Sequence, residues 1–290
     1  MRFSINVAFL PTSELLAIAT AADGCGYDAI LIPDHLVDLE SLKTPYPYTP
    51  DGARRWSHDA HWPDPWVLAG AMAAVTSRIR FYTTVYVAAL RSPYQVAKSI
   101  GTAAVLSNNR VALGVGVGWC REEFDLMGQD FATRGRRTDE ALDLLQELWS
   151  PGWNSFDGEF YATPRLVMEP SPTARIPIYV GGLSEVGMRR AARYDGWVGD
   201  LYTTQEATAH AKRLAEIRDE IGAEGDFSVI TALTDCFLPE QFAAAESAGV
   251  TDAMTMPWAY YHGLECSLEQ KIDGIHRFAD DVVRPLAGLA

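Results

Sequence analysis

Residues able to do chemistry gather at a few points of the chain. Asp34-His35 closes the apolar run Ala29-Ile30-Leu31-Ile32-Pro33. Histidine is the side chain whose ordinary pKa lies nearest neutrality, so it can both take and give a proton there. An adjacent Asp-His pair can equally be a structural hydrogen-bonded unit. Gly114, Gly116 and Gly118 alternate with Val115 and Val117. Alternate residues of a strand share one face, so that face is stripped of side chains. Such bareness permits close approach of a flat ligand or of another backbone segment. The run is not a dinucleotide fingerprint, because its third glycine falls at the wrong spacing. Gly181-Gly182-Leu183-Ser184 follows Ile178-Tyr179-Val180 and opens a segment carrying Arg189, Arg190 and Arg193. Unencumbered amides at a helix start can hold a phosphate; a tight turn capped by Ser184 is the plainer alternative. His58-Asp59-Ala60-His61 offers two imidazoles but no third ligand at a metal-binding spacing, so no metal is expected. Neither Gly-x-Ser-x-Gly nor His-Glu-x-x-His occurs, which leaves hydrolase chemistry without an anchor.

These groups need elements to position them. Strand-like runs recur at Phe3-Phe9, Ala29-Pro33, Phe81-Val87, Val111-Val117, Pro177-Val180, Trp197-Gly199, Phe227-Leu233 and Ala253-Met256, with helical patterns between them. Helix starts are marked by Asp64-Pro65 and by capping boxes pairing Ser92 with Gln95, Thr203 with Glu206 and Ser267 with Gln270. Gly222 marks a helix end, and Leu142, Leu145 and Leu148 form one apolar stripe. Eight strand-helix units predict an α/β fold, a closed (β/α)8 TIM barrel spanning residues 1-290 as a single domain. Two segments interrupt the alternation. Residues 36 to 63, rich in proline and aromatics, follow the second strand, at the barrel face where active sites are built. Residues 151 to 175 precede the fifth strand and contain an Asp157-Gly158 hairpin flanked by aromatics.

Composition narrows the function classes. A formal charge of -14 and the absence of a basic stripe argue against nucleic acid. No apolar stretch has membrane-spanning length and the first residues do not form a signal peptide, so a cytoplasmic location is expected. The four cysteines are scattered without a Cys-x-x-Cys pair, so reduced thiols are expected.

A family resemblance rests on ordered motifs along nearly the whole chain: Asp64-Pro65-Trp66-Val67-Leu68, Ala74-Val75-Thr76-Ser77-Arg78-Ile79-Arg80, and Leu106-Ser107-Asn108-Asn109-Arg110 before the glycine strand. They continue with Gly118-Trp119-Cys120-Arg121-Glu122-Glu123-Phe124, Arg136-Arg137-Thr138-Asp139-Glu140-Ala141-Leu142 and the Gly181-Gly182 turn running to Asp195-Gly196-Trp197. The chain resembles the luciferase-like monooxygenase family, TIM barrels that bind FMN or the deazaflavin coenzyme F420, and within it the F420-dependent branch. The resemblance implies a non-proline cis peptide at Thr84-Val85 behind the ring, and Gly116, Val117 and Gly118 lining the cofactor. It implies the phosphate on the backbone of Gly181, Gly182, Leu183 and Ser184, Asp34 at the polar edge of the ring, and His35 beside the substrate. Asn108-Asn109 stands where the family usually has Gly-Gly, which asparagine tolerates because it visits left-handed conformations. Trp119 stands where sugar-phosphate dehydrogenases of the F420 type carry a glutamate, so glutamate-assisted alcohol oxidation is not expected.

The resulting expectation is an oxidoreductase moving a hydride between F420 and a mostly apolar organic substrate. The alternative is an FMN monooxygenase fed by a partner reductase, and a third reading is a binding protein without turnover. Tyr48, Trp56, Trp62, Trp119 and Trp258 are the candidate substrate contacts, with core packing the alternative for the aromatics. A homodimer is expected from the family's habit.

Overall fold

The computed structural model describes residues 1–287; the last three positions of the expected 1-290 span lie outside the described residues. In chain order the elements are β1 (Arg2–Asn6), α1 (Leu15–Cys25), β2 (Ala29–Ile32), α2 (Pro65–Ala73), β3 (Arg80–Thr83), α3 (Pro93–Leu106) and β4 (Val111–Val115). Then come α4 (Arg121–Leu126), α5 (Arg134–Trp149), β5 (Asn154–Asp157), β6 (Ala162–Leu166), β7 (Ile178–Gly181), α6 (Glu185–Ala191), β8 (Gly196–Tyr202) and α7 (Thr204–Glu220). The chain closes with β9 (Ser228–Leu233), α8 (Pro239–Ser247), β10 (Asp252–Thr255), α9 (Ala259–His262), α10 (Leu268–Phe278) and α11 (Arg284–Ala287). Eight parallel strands close in the order β1-β10-β9-β8-β7-β4-β3-β2, an α/β TIM barrel. β5 and β6 pair antiparallel outside it as the hairpin that the Asp157-Gly158 turn predicts.

Local chemistry sets most boundaries. Asp64 accepts the amides of Trp66 and Val67 with Pro65 in the first turn, and the capping boxes at Thr203–Glu206 and Ser267–Gln270 are both formed. Ser92 is a correction: its side chain makes no capping bond, and Pro93 alone opens α3. With no amide, Pro93 already removes one free donor of that first turn. Asn108 and Asn109 both take left-handed conformations between α3 and β4, at φ 56° and 59°. Leu142, Leu145 and Leu148 are buried, each contributing roughly 1.5–3 kcal/mol by leaving water.

Each barrel strand separates two apolar layers. The outer layer packs strands against helices; the inner one holds Leu31, Tyr82, Ala112, Tyr179, Val198, Ile230 and Met254. At the N-terminal end of the strands the interior is closed by polar pairs. Arg2 bonds Asp252 at 2.7 Å, Arg80 pairs with Asp28, and the Tyr82 and Ser4 hydroxyls meet at 3.1 Å. Closing the lower end with protein leaves only the C-terminal end to receive a ligand.

Candidate active site

A cavity of about 1410 Å³ occupies the C-terminal mouth of the barrel. Its floor is the strand ends themselves: Asn6, Thr84, Val85, Gly116, Val198, Ala232 and Met254. The Thr84–Val85 peptide is cis, as the resemblance implies. The bare glycine face has a definite partner, and that partner is protein. A Cβ on Gly114 would lie 1.7 Å from the Thr83 carbonyl oxygen, one on Gly116 2.5 Å from Val85 Cγ2, and one on Gly118 2.7 Å from Val87 Cγ1. Of the two readings left open for these glycines, close approach of another backbone segment holds, since β3 and its continuation press against β4. Gly116, Val117 and Gly118 still edge the cavity, as do Gly181, Gly182, Leu183 and Ser184 across from them.

His35 stands beside this floor. Its Nδ1 lies 2.9 Å from Glu123 Oε2, and Glu123 Oε1 accepts the Leu36 amide at 2.8 Å. Glu123 is only 3% exposed. A carboxylate can only accept, so Nδ1 carries a proton, and in the neutral imidazole the lone pair is then on Nε2. Nε2 has no hydrogen-bond partner among the described residues. Around the imidazole the rings of Trp62, Trp56 and Trp119 stand at centroid distances of 4.8, 5.2 and 5.7 Å. Tyr46 meets Trp56 and Trp119 edge-on, and Phe9 stacks on Trp56. Phe9, Tyr46 and Glu123 are site residues that sequence reasoning missed. Only the match to the Glu122-Glu123 motif hinted at the last.

The loop that carries Tyr46, Trp56 and Trp62 is tied down at three places. Glu122 Oε1 accepts the amides of Lys43 and Thr44, Arg55 forms a two-bond pair with Asp200 of β8, and the Thr12 amide donates to His61 Nδ1. Burial raises the Glu122 carboxyl, but the loop amides that donate to it, Lys43 first, outweigh that and hold it down to about 2. His58 bonds Asp38 at 2.6 Å, so the two loop histidines face different partners.

All sixteen residues singled out from the sequence border this one cavity, though not equally. Tyr48, Trp56, Trp62 and Trp119 are half-buried on its walls. Trp258 is a correction: it is fully buried behind the wall, its backbone pressed so closely on Gly274 that a Cβ there would come within 2.3 Å. Asp34 is held on the cavity rim: both its carboxylate oxygens accept from Arg91 at 2.7 Å and one also takes the Val87 amide at 3.0 Å, so it anchors the segment after β3. The neighbouring Tyr260 packs on Phe278, and Tyr261 lies beneath Arg277.

The turn before α6 has Gly182 at φ 144°, where any side chain would be strained and where Gly187 Cα lies 3.2 Å from an added Cβ. Ser184 Oγ accepts the Gly187 amide, and the amides of Gly182, Leu183 and Ser184 have no acceptor among the described residues. Arg190 bonds Asp139 twice, while Arg189 and Arg193 also pair with acids, so none of the three serves the turn. Together these features fit a flat ring with an anionic tail. The floor holds an unpartnered, buried Thr84 hydroxyl, the wall is aromatic, and three consecutive free amides lie at the far end.

Comparisons with known proteins agree with this geometry. The family model described as luciferase-like monooxygenase matches residues 7–267. An uncharacterized protein of Mycobacterium tuberculosis is 37% identical over 289 residues, covering 98% of this chain and 99% of the relative. An F420-dependent glucose-6-phosphate dehydrogenase of Nakamurella multipartita is 31% identical over 193 residues, 64% of this chain and 51% of that one. Among solved structures, the oxygenating constituent of 3,6-diketocamphane monooxygenase of Pseudomonas putida, a type II Baeyer-Villiger monooxygenase in complex with FMN, superposes with a TM-score of 0.70 at 13% identity, covering 98% of each chain. That likeness shows the fold. No helix among the described residues is long and apolar enough to cross a membrane. With a matching model over most of its length and a full-length relative above 30% identity, the chain belongs to the luciferase-like monooxygenase family of oxidoreductases.

Proposed function

We propose that this protein is an F420-dependent oxidoreductase that transfers a hydride to or from a bulky, mostly apolar organic substrate, with His35 moving the accompanying proton. The observation that carries the reading is the imidazole at the cavity wall, fixed through Nδ1 by Glu123 and with Nε2 unengaged. A deazaflavin, when bound, supplies the hydride acceptor or donor. Gly116, Val117 and Gly118 would lie along the ring, and the amides of Gly182, Leu183 and Ser184 would hold the phosphate. The rings of Tyr46, Trp56, Trp62 and Trp119 would exclude water and orient the substrate against His35.

A hydride leaving or reaching carbon needs a proton moved at the neighbouring heteroatom, and a histidine of fixed tautomer meets that need. Similarity to an F420-dependent dehydrogenase supports the choice of deazaflavin. The FMN alternative is oxygen insertion by a reduced flavin from a partner reductase.

Side-by-side fluorescence titration with F420 and FMN tests the reading, with tighter F420 binding expected. Tighter FMN binding would overturn the cofactor choice, and binding of neither would overturn the whole proposal. A protein that binds F420 but loses nothing on His35→Ala in any turnover assay would be a binding protein instead.

A further inference from the structure

The loop of residues 36 to 63 leaves one strand and is bonded to the strand farthest from it. The eight barrel strands run round in the order β1-β10-β9-β8-β7-β4-β3-β2, so β8 stands four places from β2 in either direction. The loop starts at the end of β2, and Arg55 within it reaches Asp200 of β8 by two bonds, Nη1 to Oδ1 at 2.7 Å and Nη2 to Oδ2 at 2.8 Å. It therefore crosses the mouth from rim to rim, as a strap over the cavity that both residues border.

Both ends of this contact are shaped for it. Val198 pairs with Ile230 and Leu201 with Ala232, so two residues of β8, Gly199 and Asp200, stand against one of β9, Thr231. Such a bulge re-aims the side chain it carries. In an unbroken strand Asp200 would share the inward face of Val198, because alternate residues lie on one side. Thr231 Oγ1 donates to the Asp200 carbonyl at 2.7 Å and braces the bulge. At Gly199 a Cβ would come within 2.6 Å of the Trp197 ring, so the extra residue beside Asp200 has no room for a side chain. On the strap, Arg55 Nη2 also donates to the Tyr48 carbonyl at 2.6 Å, and its guanidinium carbon lies 5.7 Å from the centre of the Tyr46 ring. The bond to Asp200 outweighs burial and holds the Arg55 pKa above its ordinary value, so the paired state is the favoured one.

The residue after Arg55 is Trp56, whose ring stands 5.2 Å from the His35 imidazole and stacks on Phe9. Closing the pair holds that ring in place, and opening it frees the ring and uncovers the cavity.

We infer that Arg55 and Asp200 form a latch: closed, it positions Trp56 against His35, and ligands enter and leave the cavity when it opens. Both act through the strap, as positioning residues. A latch leaves a kinetic signature that lost packing does not. Where passage requires opening, loosening the latch speeds entry and exit together and leaves affinity nearly unchanged, whereas a damaged site speeds exit alone.

Asp200→Asn, Arg55→Gln and the double variant are compared with wild type in two measurements. Amide hydrogen exchange of the free protein reads the opening itself. Residues 45–60 should exchange roughly 3- to 30-fold faster in each variant, with the double variant no faster than the singles and the barrel strands unchanged. Stopped-flow fluorescence with FMN and with F420 reads passage: association and dissociation rate constants should rise by about the same factor as exchange, with Kd within about threefold of wild type. Wild-type exchange in the variants would overturn the latch, as would acceleration spread over the barrel strands. Faster exchange with an unchanged association rate would overturn its control of passage. The exchange measurement needs no cofactor, while the kinetic one rests on the reading of this cavity as a ring site. If wild type binds neither ring, that reading falls, and exchange alone decides whether the latch stands.

Discussion

Glutamine in place of Glu123 would invert the chemistry of the candidate catalytic histidine with almost no change in shape. In the native site both carboxylate oxygens accept, one from the Leu36 amide at 2.8 Å and one from His35 Nδ1 at 2.9 Å. Glutamine offers one acceptor and one donor. The Leu36 amide can only donate, so it keeps the glutamine oxygen, and the NH2 group then faces Nδ1. Burial at 3% exposure denies water as a substitute partner. His35 must therefore accept at Nδ1 and carry its proton on Nε2, so that the cavity-facing nitrogen changes from acceptor to donor. General acid-base catalysis by a positioned side chain is worth about 10²- to 10⁴-fold. Turnover in the direction where His35 takes the proton should fall by about that factor, with cofactor affinity unchanged. The tautomer can be read without any substrate, from long-range ¹H–¹⁵N correlation spectra. The chain has six histidines, so the His35 ring is identified by the signal lost in His35→Ala. Because the two residues act as one unit, the double variant should be no slower than His35→Ala alone. An Nδ1-protonated ring that persists in Glu123→Gln, or full turnover in that variant beside a dead His35→Ala, would refute the reasoning.

Two further outcomes follow from the same structure. Gly114→Ala would force a Cβ to within 1.7 Å of the Thr83 carbonyl, a backbone atom that cannot swing aside, so the barrel should melt far lower or fail to fold. Gly24→Ala, inside α1 with open space around it, should instead raise stability by about 0.5–1 kcal/mol, and a thermal melt that ranks the two the other way would contradict the packing assigned to the glycine strand. Glu122 titrates in the folded protein near 2, below its ordinary 4.5. Its charge therefore contributes stability in full above about pH 4.5, and that contribution is lost as pH falls through 2. Wild type should thus be more stable than Glu122→Gln at neutral pH and converge on it in acid, with proteolysis of the 36–63 loop as the local readout; a gap independent of pH would rule out the charge as the anchor.

How much of this was legible in the chain depends on the range of the force involved. The eight barrel strands, the caps at Asp64, Thr203 and Ser267, the hairpin and the left-handed pair Asn108-Asn109 were all readable. Each is set by a residue's own backbone preferences or by a partner within a few positions. Ser92 shows the limit even there, because a cap is one of several ways a first turn is completed. His35 and the Gly181–Ser184 turn could be picked out by residue type and place. What they do with their bonds could not. Glu123 lies 88 residues from His35, Arg91 lies 57 from Asp34, and Arg134 reaches Gly118 across 16. Those encounters are created by barrel closure, which brings the ends of β2, β3 and β4 to one rim in a register that no local pattern encodes. The glycine strand makes the same point: alternation announced a bare face, and only the placement of β3 and its continuation decided that Thr83, Val85 and Val87 press against it. Sequence by itself determined the elements and the candidate chemistry, since these follow from short-range preferences and side-chain type. Tertiary structure alone decided which carboxylate orients the histidine and which acid is already neutralised, because pairing depends on distance in space and not along the chain.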